Sequence, residues 1–308
     1  MVLYNKLMKE NINLKDICSI IVFYDFDLKN FEKNLKRQIY NFKNIIIVNN
    51  SPSININNLK SNKVKILNNK KNLGATGGLN KGIIKAKKLG FKMVALFDQD
   101  TFLPRNFSKK MLHYINKYKK FDNAAVFAPI YKNMVTKKWV GGFTLEFLML
   151  KIKKPNKSLE YSCGDFVISS GSFIPIKIIN NVGLLNNKLF MDYFDKEWCM
   201  RAKKKGYLIL NLNKISIKHY IGNYSIKFLG INHFVISPIR NYFYFRNYAF
   251  LLKSKNLSLN WKFTDSIRNF FVFLFYLFLV RKNKKEHLYF ILKGIFDGFK
   301  NKMGNLKN

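Results

Sequence analysis

Three groups of residues in this chain have types and spacings suited to chemistry. The first is Asp98-Gln99-Asp100, which closes the apolar run Met93 to Phe97. If that run is a buried strand, positions two apart point to one side, and both carboxylates converge at its end. Paired carboxylates suit a hard divalent cation, Mg2+ or Mn2+, that keeps positions free for phosphate oxygens. The competing reading is a helix cap or solvated turn, because Asp, Thr101 and Pro104 also announce a helix start. The second group is Asp192, Asp195 and Glu197, at the front of a helix whose last turn is basic. That order suits the helix dipole. Acids are scarce in this chain, however, and a carboxylate here becomes a general-base candidate if it points into the same cleft. The third is His219, one of four histidines, either a metal ligand or an ordinary partly buried His.

The elements that must position these groups follow from hydrophobic periodicity. Ile17 to Tyr24 reads as a strand, Leu28 to Tyr40 as a helix, and Ile45 to Val48 as a strand ending in the turn Asn49-Asn50-Ser51-Pro52. Val64 to Leu67 is a third strand. A Gly-rich segment, Asn72 to Gly82, opens a helix running to about Leu89. Glycines let backbone approach a ligand, and a helix N-terminus offers N–H groups to phosphate, although a plain loop and cap reads equally well. Phe107 to Tyr118 is a helix, and Ala124 to Phe127 is a strand ending at Pro129. Residues 131–160, Lys-rich, read as an irregular excursion over the site. Leu208 to Leu212 and Ile215 to Lys218 are two short strands. Strands alternating with helices predict an α/β fold, a mostly parallel Rossmann-like sheet with helices on both faces. Ligands bind such sheets beyond the carboxyl ends of the strands, where Asn49 to Ser51 and Asp98 to Asp100 fall.

Composition narrows the partners. The 308 residues carry 55 Lys plus Arg against 17 Asp plus Glu, a net charge of +38. Such a field attracts nucleic acid, anionic lipid or phosphorylated substrates and says nothing about fold. The abundance of Lys, Asn, Ile and Phe also fits drifted coding composition. Cys18, Cys163 and Cys199 form no CxxC pair, which fits a reduced intracellular protein. Residues 1–16 read as an N-terminal tail without a signal-peptide core, and no apolar run reaches the length of a membrane span. The expected location is the cytoplasm. In residues 236–308, Arg240, Tyr242, Tyr244 and Arg246 interleave cations with aromatics. Phe270 to Val280 is wholly apolar and flanked by Arg268, Arg281 and Lys282, and Leu288, Ile291, Ile295 and Phe299 recur at helical spacing. This region is expected to be a helical appendage that docks on an anionic membrane surface, with a helix pair packed on the main domain as the alternative.

Taken together, the motifs at residues 17–247 resemble glycosyltransferase family 2, and within it the bacterial rhamnosyltransferases of cell-surface polysaccharide synthesis. Ile21-Val22-Phe23-Tyr24 is similar to the family's first nucleotide-contacting strand, Val48-Asn49-Asn50-Ser51 to its Val-Asp-Asn-x-Ser turn, and Asn72-x-Gly74 through Gly77, Asn80 and Gly82 to its Gly-rich loop. Asp98-Gln99-Asp100 is similar to its metal-binding DxD. Ser170-Gly171-Ser172 and Asp192-Tyr-x-Asp195-x-Glu197-Trp198 resemble the acceptor-side and catalytic segment, and His219-x-x-Gly222 and Arg240 to Asn247 the closing motifs. The resemblance implies a GT-A domain at 17–235 and inverting transfer from a nucleotide-diphosphate sugar to a glycan or lipid-linked glycan. dTDP-rhamnose is the expected donor, with UDP-galactose, UDP-galactofuranose or a UDP-amino sugar as alternatives. It implies a metal on Asp98, Asp100 and His219, Asp195 as base, and Asp192 and Glu197 orienting substrates. It further implies donor contacts from Phe23, Tyr24, Asn49, Asn50, Ser51, Asn72, Gly74, Gly77, Asn80, Asp98, Gln99, Arg240 and Arg246, and acceptor contacts from Ser170, Gly171 and Trp198. The enzyme is expected at the inner face of the cytoplasmic membrane. The family has Asp where this chain has Asn49, which shifts the expected base contact toward ring stacking and backbone groups.

Two other classes stay open. Nucleic-acid binding would use the charge and the Arg/Tyr interleaving, but no compact binding motif is present and the cations are spread along the chain, so no nucleic acid is expected. Nucleotidyl transfer on the same sheet would place a Gly- and Lys-rich loop after the first strand, where this chain has Asp25-Phe26-Asp27.

Overall fold

A computed structural model describes residues 11–118, 123–219, 222–228 and 230–306. Along the first half run β1 (Ile17–Phe23), α1 (Leu28–Asn41), β2 (Ile45–Asn49), β3 (Val64–Asn68), α2 (Gly74–Lys88), β4 (Met93–Asp98), α3 (Phe107–Lys117) and β5 (Ala124–Asn133). Then come β6 (Trp139–Val140), the hairpin β7 (Phe143–Glu146) and β8 (Met149–Ile152), β9 (Tyr161–Gly164), β10 (Ser172–Pro175), α4 (Ile176–Val182), α5 (Phe194–Lys204) and β11 (Leu208–His219). A hairpin, β12 (Tyr224–Phe228) and β13 (Ile231–Val235), leads to α6 (Pro238–Leu252), α7 (Leu259–Phe278) and α8 (Lys284–Phe299).

The main sheet has the order β3-β2-β1-β4-β10-β5-β11-β9, with β6 on β5. The β1–β2, β1–β4, β2–β3 and β5–β11 pairs are parallel, and β10 lies antiparallel between β4 and β5. Six strands therefore point their carboxyl ends to one edge, which carries Asn49, Asp98, Asn133 and His219. Alternation along the strands sorts the core into two layers. Ile17, Ile21, Met93, Ala95 and Phe97 pack with Phe31 and Leu35 of α1 and with Phe107 and Met111 of α3. Cys18, Ile20, Val94 and Leu96 pack with Leu79 and Ile83 of α2 and with Trp198 and Ala202 of α5.

The Gly-rich segment brings α2 against β1. A Cβ at Gly78 would meet Val22 at 2.8 Å and one at Gly82 would meet Ile20 at 2.4 Å, so both glycines make room for the strand's side chains. Gly74 needs its φ of +72, and a side chain there would strike the Phe190 carbonyl.

Three local expectations differ from the structure. Residues 131–160 contain β6 and the β7–β8 hairpin, whose two- and four-residue strands are too short to show a period in sequence. Pro129 lies inside β5, and β11 is one strand, reconciled by a bulge: Leu212 pairs Pro129 while Ser216 pairs the next residue, Ile130. Proline has no N–H to donate, and a bulge is where a sheet accommodates it. The third is the extent of the late apolar helix, which begins at Leu259. The C-terminal helices interlock with one another: a Cβ at Gly294 or Gly298 of α8 would meet the Tyr242 or Arg246 carbonyl of α6 at 2.5 or 2.3 Å. No helix among the described residues is long and apolar enough to cross a membrane.

Candidate active site

Asp98 ends β4 and Asp100 follows one turn residue later, while His219 ends β11. Their ligand atoms all lie within 4.8 Å of one another. His219 Nε2 is 3.4 Å from Asp98 Oδ2, and Nδ1 is 3.8 Å from Asp100 Oδ1. The bulge in β11 sets this aim: Leu210 and Leu212 before it and Ile215 and Ile217 after it share one core layer, so the alternation is inverted before His219 is reached. Asp100 Oδ1 and His219 Nδ1 are buried without a hydrogen-bond partner among the described residues. Burial, then the neighbouring Asp98 carboxylate, pushes the Asp100 carboxyl above its ordinary value. Two carboxylate oxygens and an imidazole nitrogen with buried atoms left over are the donor set a divalent cation requires.

The backbone beneath the pair is fixed from behind. Ser170 Oγ accepts from Asp98 N at 3.3 Å and lies 2.5 Å from Thr101 Oγ1. Gln99 and Tyr24 bond reciprocally through the Gln99 amide and the Tyr24 backbone, which leaves the Tyr24 ring exposed at the sheet edge.

A second wall faces this edge across a cavity of about 2580 Å³ lined by Asp98, Asp100, Asp192, Asp195, His219 and Arg240. Asp192 takes both Arg240 Nε and Nη2, at 3.0 and 2.8 Å. Asp195, in the first turn of α5, accepts only from Lys196 N among the described bonds. Burial raises its pKa to about 6, against the lowering effect of that N–H and the Lys196 ammonium; Asp192 and Asp98 add to the rise. The loop before α5 is strained, with positive φ at Phe190, Asp192 and Tyr193. Such non-glycine backbone is worth roughly 1–3 kcal/mol per residue and persists only where surroundings enforce it. Here the Asn247 amide donates to the Leu189, Met191 and Asp192 carbonyls, and Arg246 donates to those of Lys188, Leu189 and Gly304. Tyr193 Oη donates to Asp265 at 2.6 Å and accepts from Arg268 and Asn269, tying α7 to α5.

The remaining motif residues lie around the site rather than in it. Glu197 is buried and bonds Arg201 Nε at 2.7 Å, while Arg201 donates to the Val182 and Leu184 carbonyls. Trp198 is core, its Nε1 on the Gly183 carbonyl. Arg246, fully buried, packs over Tyr242 and Phe243. Asn80 clasps the Leu185 backbone and Asn187. Asn49 spends its amide on Ile54, Asn68 and Ser51, Asn50 on Gly74 and Asn69, and Ser51 accepts from Asp25 N. Asn72 accepts from Gly74 N, and a Cβ at Gly77 would meet Leu73. Phe23 is buried against Phe31, and Gly171 turns at φ +86 beside Pro129. Sequence reasoning assigned no role to Tyr193 and Lys196, although both stand beside the motif acids Asp192 and Asp195, and it missed Asp265 and Asn269, which join the network through tertiary contacts; an aspartate within an otherwise apolar and basic helix was the available signal for Asp265.

A largely parallel sheet with a carboxylate pair on its carboxyl edge and a second acidic wall opposite defines a sugar-nucleotide transferase of the GT-A type. The chain belongs to glycosyl transferase family 2, whose model matches residues 20–174, and it is a glycosyltransferase. It is 28% identical over 250 residues to the dTDP-rhamnosyl transferase RfbF of Shigella flexneri, covering 78% of this chain and 81% of that one. Among solved structures it is similar in fold to GalNAc-T7, crystallised with UDP, GalNAc and Mn2+, at a TM-score of 0.54 and 15% identity. That match covers 82% of this chain, which spans only 54% of GalNAc-T7.

Proposed function

We propose that this enzyme transfers L-rhamnose from dTDP-rhamnose, with inversion, to a hydroxyl of a glycan or lipid-linked glycan in surface polysaccharide synthesis. The observation that carries the reading is the placement of Asp98, Asp100 and His219 across one cavity from Asp195, with Arg240 and Asp192 between. The relative from Shigella flexneri supports the choice of donor. Mn2+ or Mg2+ on the Asp98, Asp100 and His219 side chains supplies positive charge for a diphosphate leaving group. Arg240, held by Asp192, adds a guanidinium at the same place. Asp195 takes the proton of the acceptor hydroxyl as its oxygen forms a bond to the anomeric carbon, and the bond from that carbon to the diphosphate oxygen breaks on the opposite face. A pKa of about 6 leaves Asp195 ionised at neutral pH yet basic enough to accept a proton. The exposed Tyr24 ring is the group available to stack on the base.

The same reading places the enzyme at an anionic membrane surface. Leu259, Phe263, Ile267, Phe270, Phe271 and Phe278 form one exposed stripe on α7, and Phe147 to Met149 expose apolar side chains at the hairpin tip. The Asn260 side chain bonds that tip at 3.0 and 3.1 Å. Exposed Arg281, Lys282, Lys284 and Lys285 follow α7, the charge an anionic interface would complement. The cavity reaches Phe271 and Phe275 of α7 and Leu279 just after it, so a lipid-borne acceptor would enter from this side.

Thermal stabilisation by dTDP-rhamnose, UDP-galactose, UDP-galactofuranose and a UDP-amino sugar, with and without Mn2+, tests the reading. The expected result is the largest shift with dTDP-rhamnose plus Mn2+. A shift indifferent to metal would overturn the role of Asp98 and Asp100, and a larger shift with a UDP-sugar would overturn the choice of donor.

A further inference from the structure

Lys196 is the third residue of α5, where the helix dipole favours anions, and the acids on either side of it obey that rule. Its ammonium lies 4.4 Å from the Tyr193 ring centre and 5.3 Å from that of Phe166. Among the described residues no carboxylate comes within ion-pair distance of it. The surrounding charges, Asp195 and Asp192 on its own segment and Asp265 and Arg268 on α7, act at longer range, and burial, then Arg268, lowers its pKa to about 8. A cation that is desolvated, at the wrong helix end and beside another cation breaks three local rules at once. Such conflicts concentrate at functional sites.

The side chain also lines the cavity, one residue from Asp195. We propose that Lys196 recognises an anionic group, a phosphate ester or a carboxylate, on the acceptor whose hydroxyl Asp195 deprotonates. The proposal rests on the acceptor half of the cavity assigned above. The aromatic rings hold the ammonium in the cleft without neutralising it. An incoming anion supplies the ion pair the protein lacks, and an acceptor without that charge leaves Lys196 unpaired.

The test uses the full chain saturated with dTDP and Mn2+, titrated calorimetrically with glucose 1-phosphate, glucuronate and methyl glucoside. The wild type is expected to bind one of the two anionic sugars more tightly than the neutral one; a preference for glucose 1-phosphate assigns a phosphate ester, and a preference for glucuronate a carboxylate. Lys196→Met should lose that preference, about tenfold in affinity, while Lys196→Arg keeps most of it. The melting temperature of Lys196→Met should hold or rise, whereas a structural ammonium would make it fall. Equal binding of all three sugars to the wild type, no binding of any, or an anion preference surviving in Lys196→Met would overturn the proposal. If dTDP and Mn2+ do not bind, the donor reading fails separately, and the same titrations without nucleotide still decide the role of Lys196.

Discussion

At the sheet edge, Asp100 and His219 bury polar atoms that no described residue satisfies, whereas beneath the cleft Asn80, Asn247 and Arg246 have their side-chain polar groups bonded. Both regions are built from residues of one motif series, and the difference lies in what is left over. Unsatisfied buried atoms cost free energy, so they persist where a ligand completes them; saturated ones hold shape. A different contrast, of direction, separates Asp195 from Glu197, two residues apart on α5. Asp195 faces the cavity, whereas Glu197 points into the interior, its Oε1 on Arg201, which holds the chain after α4, and its Oε2 buried with no partner among the described residues.

Substitutions on the two sides should therefore fail differently. The largest effect is expected for Asp195→Asn, with turnover down roughly 10²–10⁴-fold while donor binding and melting temperature stay close to wild type. If Glu197→Gln instead abolishes turnover with donor binding intact, the division between the two acids is wrong. Arg246→Ala comes next. It should cost about 3 kcal/mol of stability in chemical denaturation, because a buried side chain is removed, the Gly304 carbonyl loses its donor and the Lys188 and Leu189 carbonyls each lose one of their donors.

The pH profile sharpens the contrast at intermediate size. Asp195 must be a carboxylate to take a proton, and its folded pKa is raised to about 6. Turnover should fall about tenfold per unit below pH 6, and Asp195→Glu should move that limb whereas Glu197→Gln should not. The smallest effect concerns α7: Phe263→Ser should weaken flotation with phosphatidylglycerol vesicles by about tenfold and leave turnover on a soluble acceptor unchanged, since burying one Phe is worth roughly 1.5 kcal/mol at the low end.

Much of this architecture was legible in the chain. Period-two and helical patterning placed β1 to β4 and α1 to α3, because burial on two faces forces apolar runs and burial on one face forces stripes. The Asp98/Asp100 pair was readable because both residues sit beside a single strand end, where two-residue spacing fixes direction. The β7–β8 hairpin was not, since its strands are only four residues long and bury little surface. Nor were the separate fates of Asp195 and Glu197, which depend on where Arg201 and the cavity lie.

The sequence by itself determined the alternation of strands and helices and the presence of two acid groups on either side of a shared edge. These follow from local spacing, which the backbone's periods translate directly into direction. Only the tertiary structure decided that His219 meets the aspartates, because a bulge opposite Pro129 inverts the phase of β11. Only it decided that Arg246 is a strut while Arg240 faces the cleft, and that Lys196 is an ammonium with no carboxylate partner among the described residues. Those outcomes depend on groups distant in the chain competing for the same hydrogen bonds, and no local spacing records who wins.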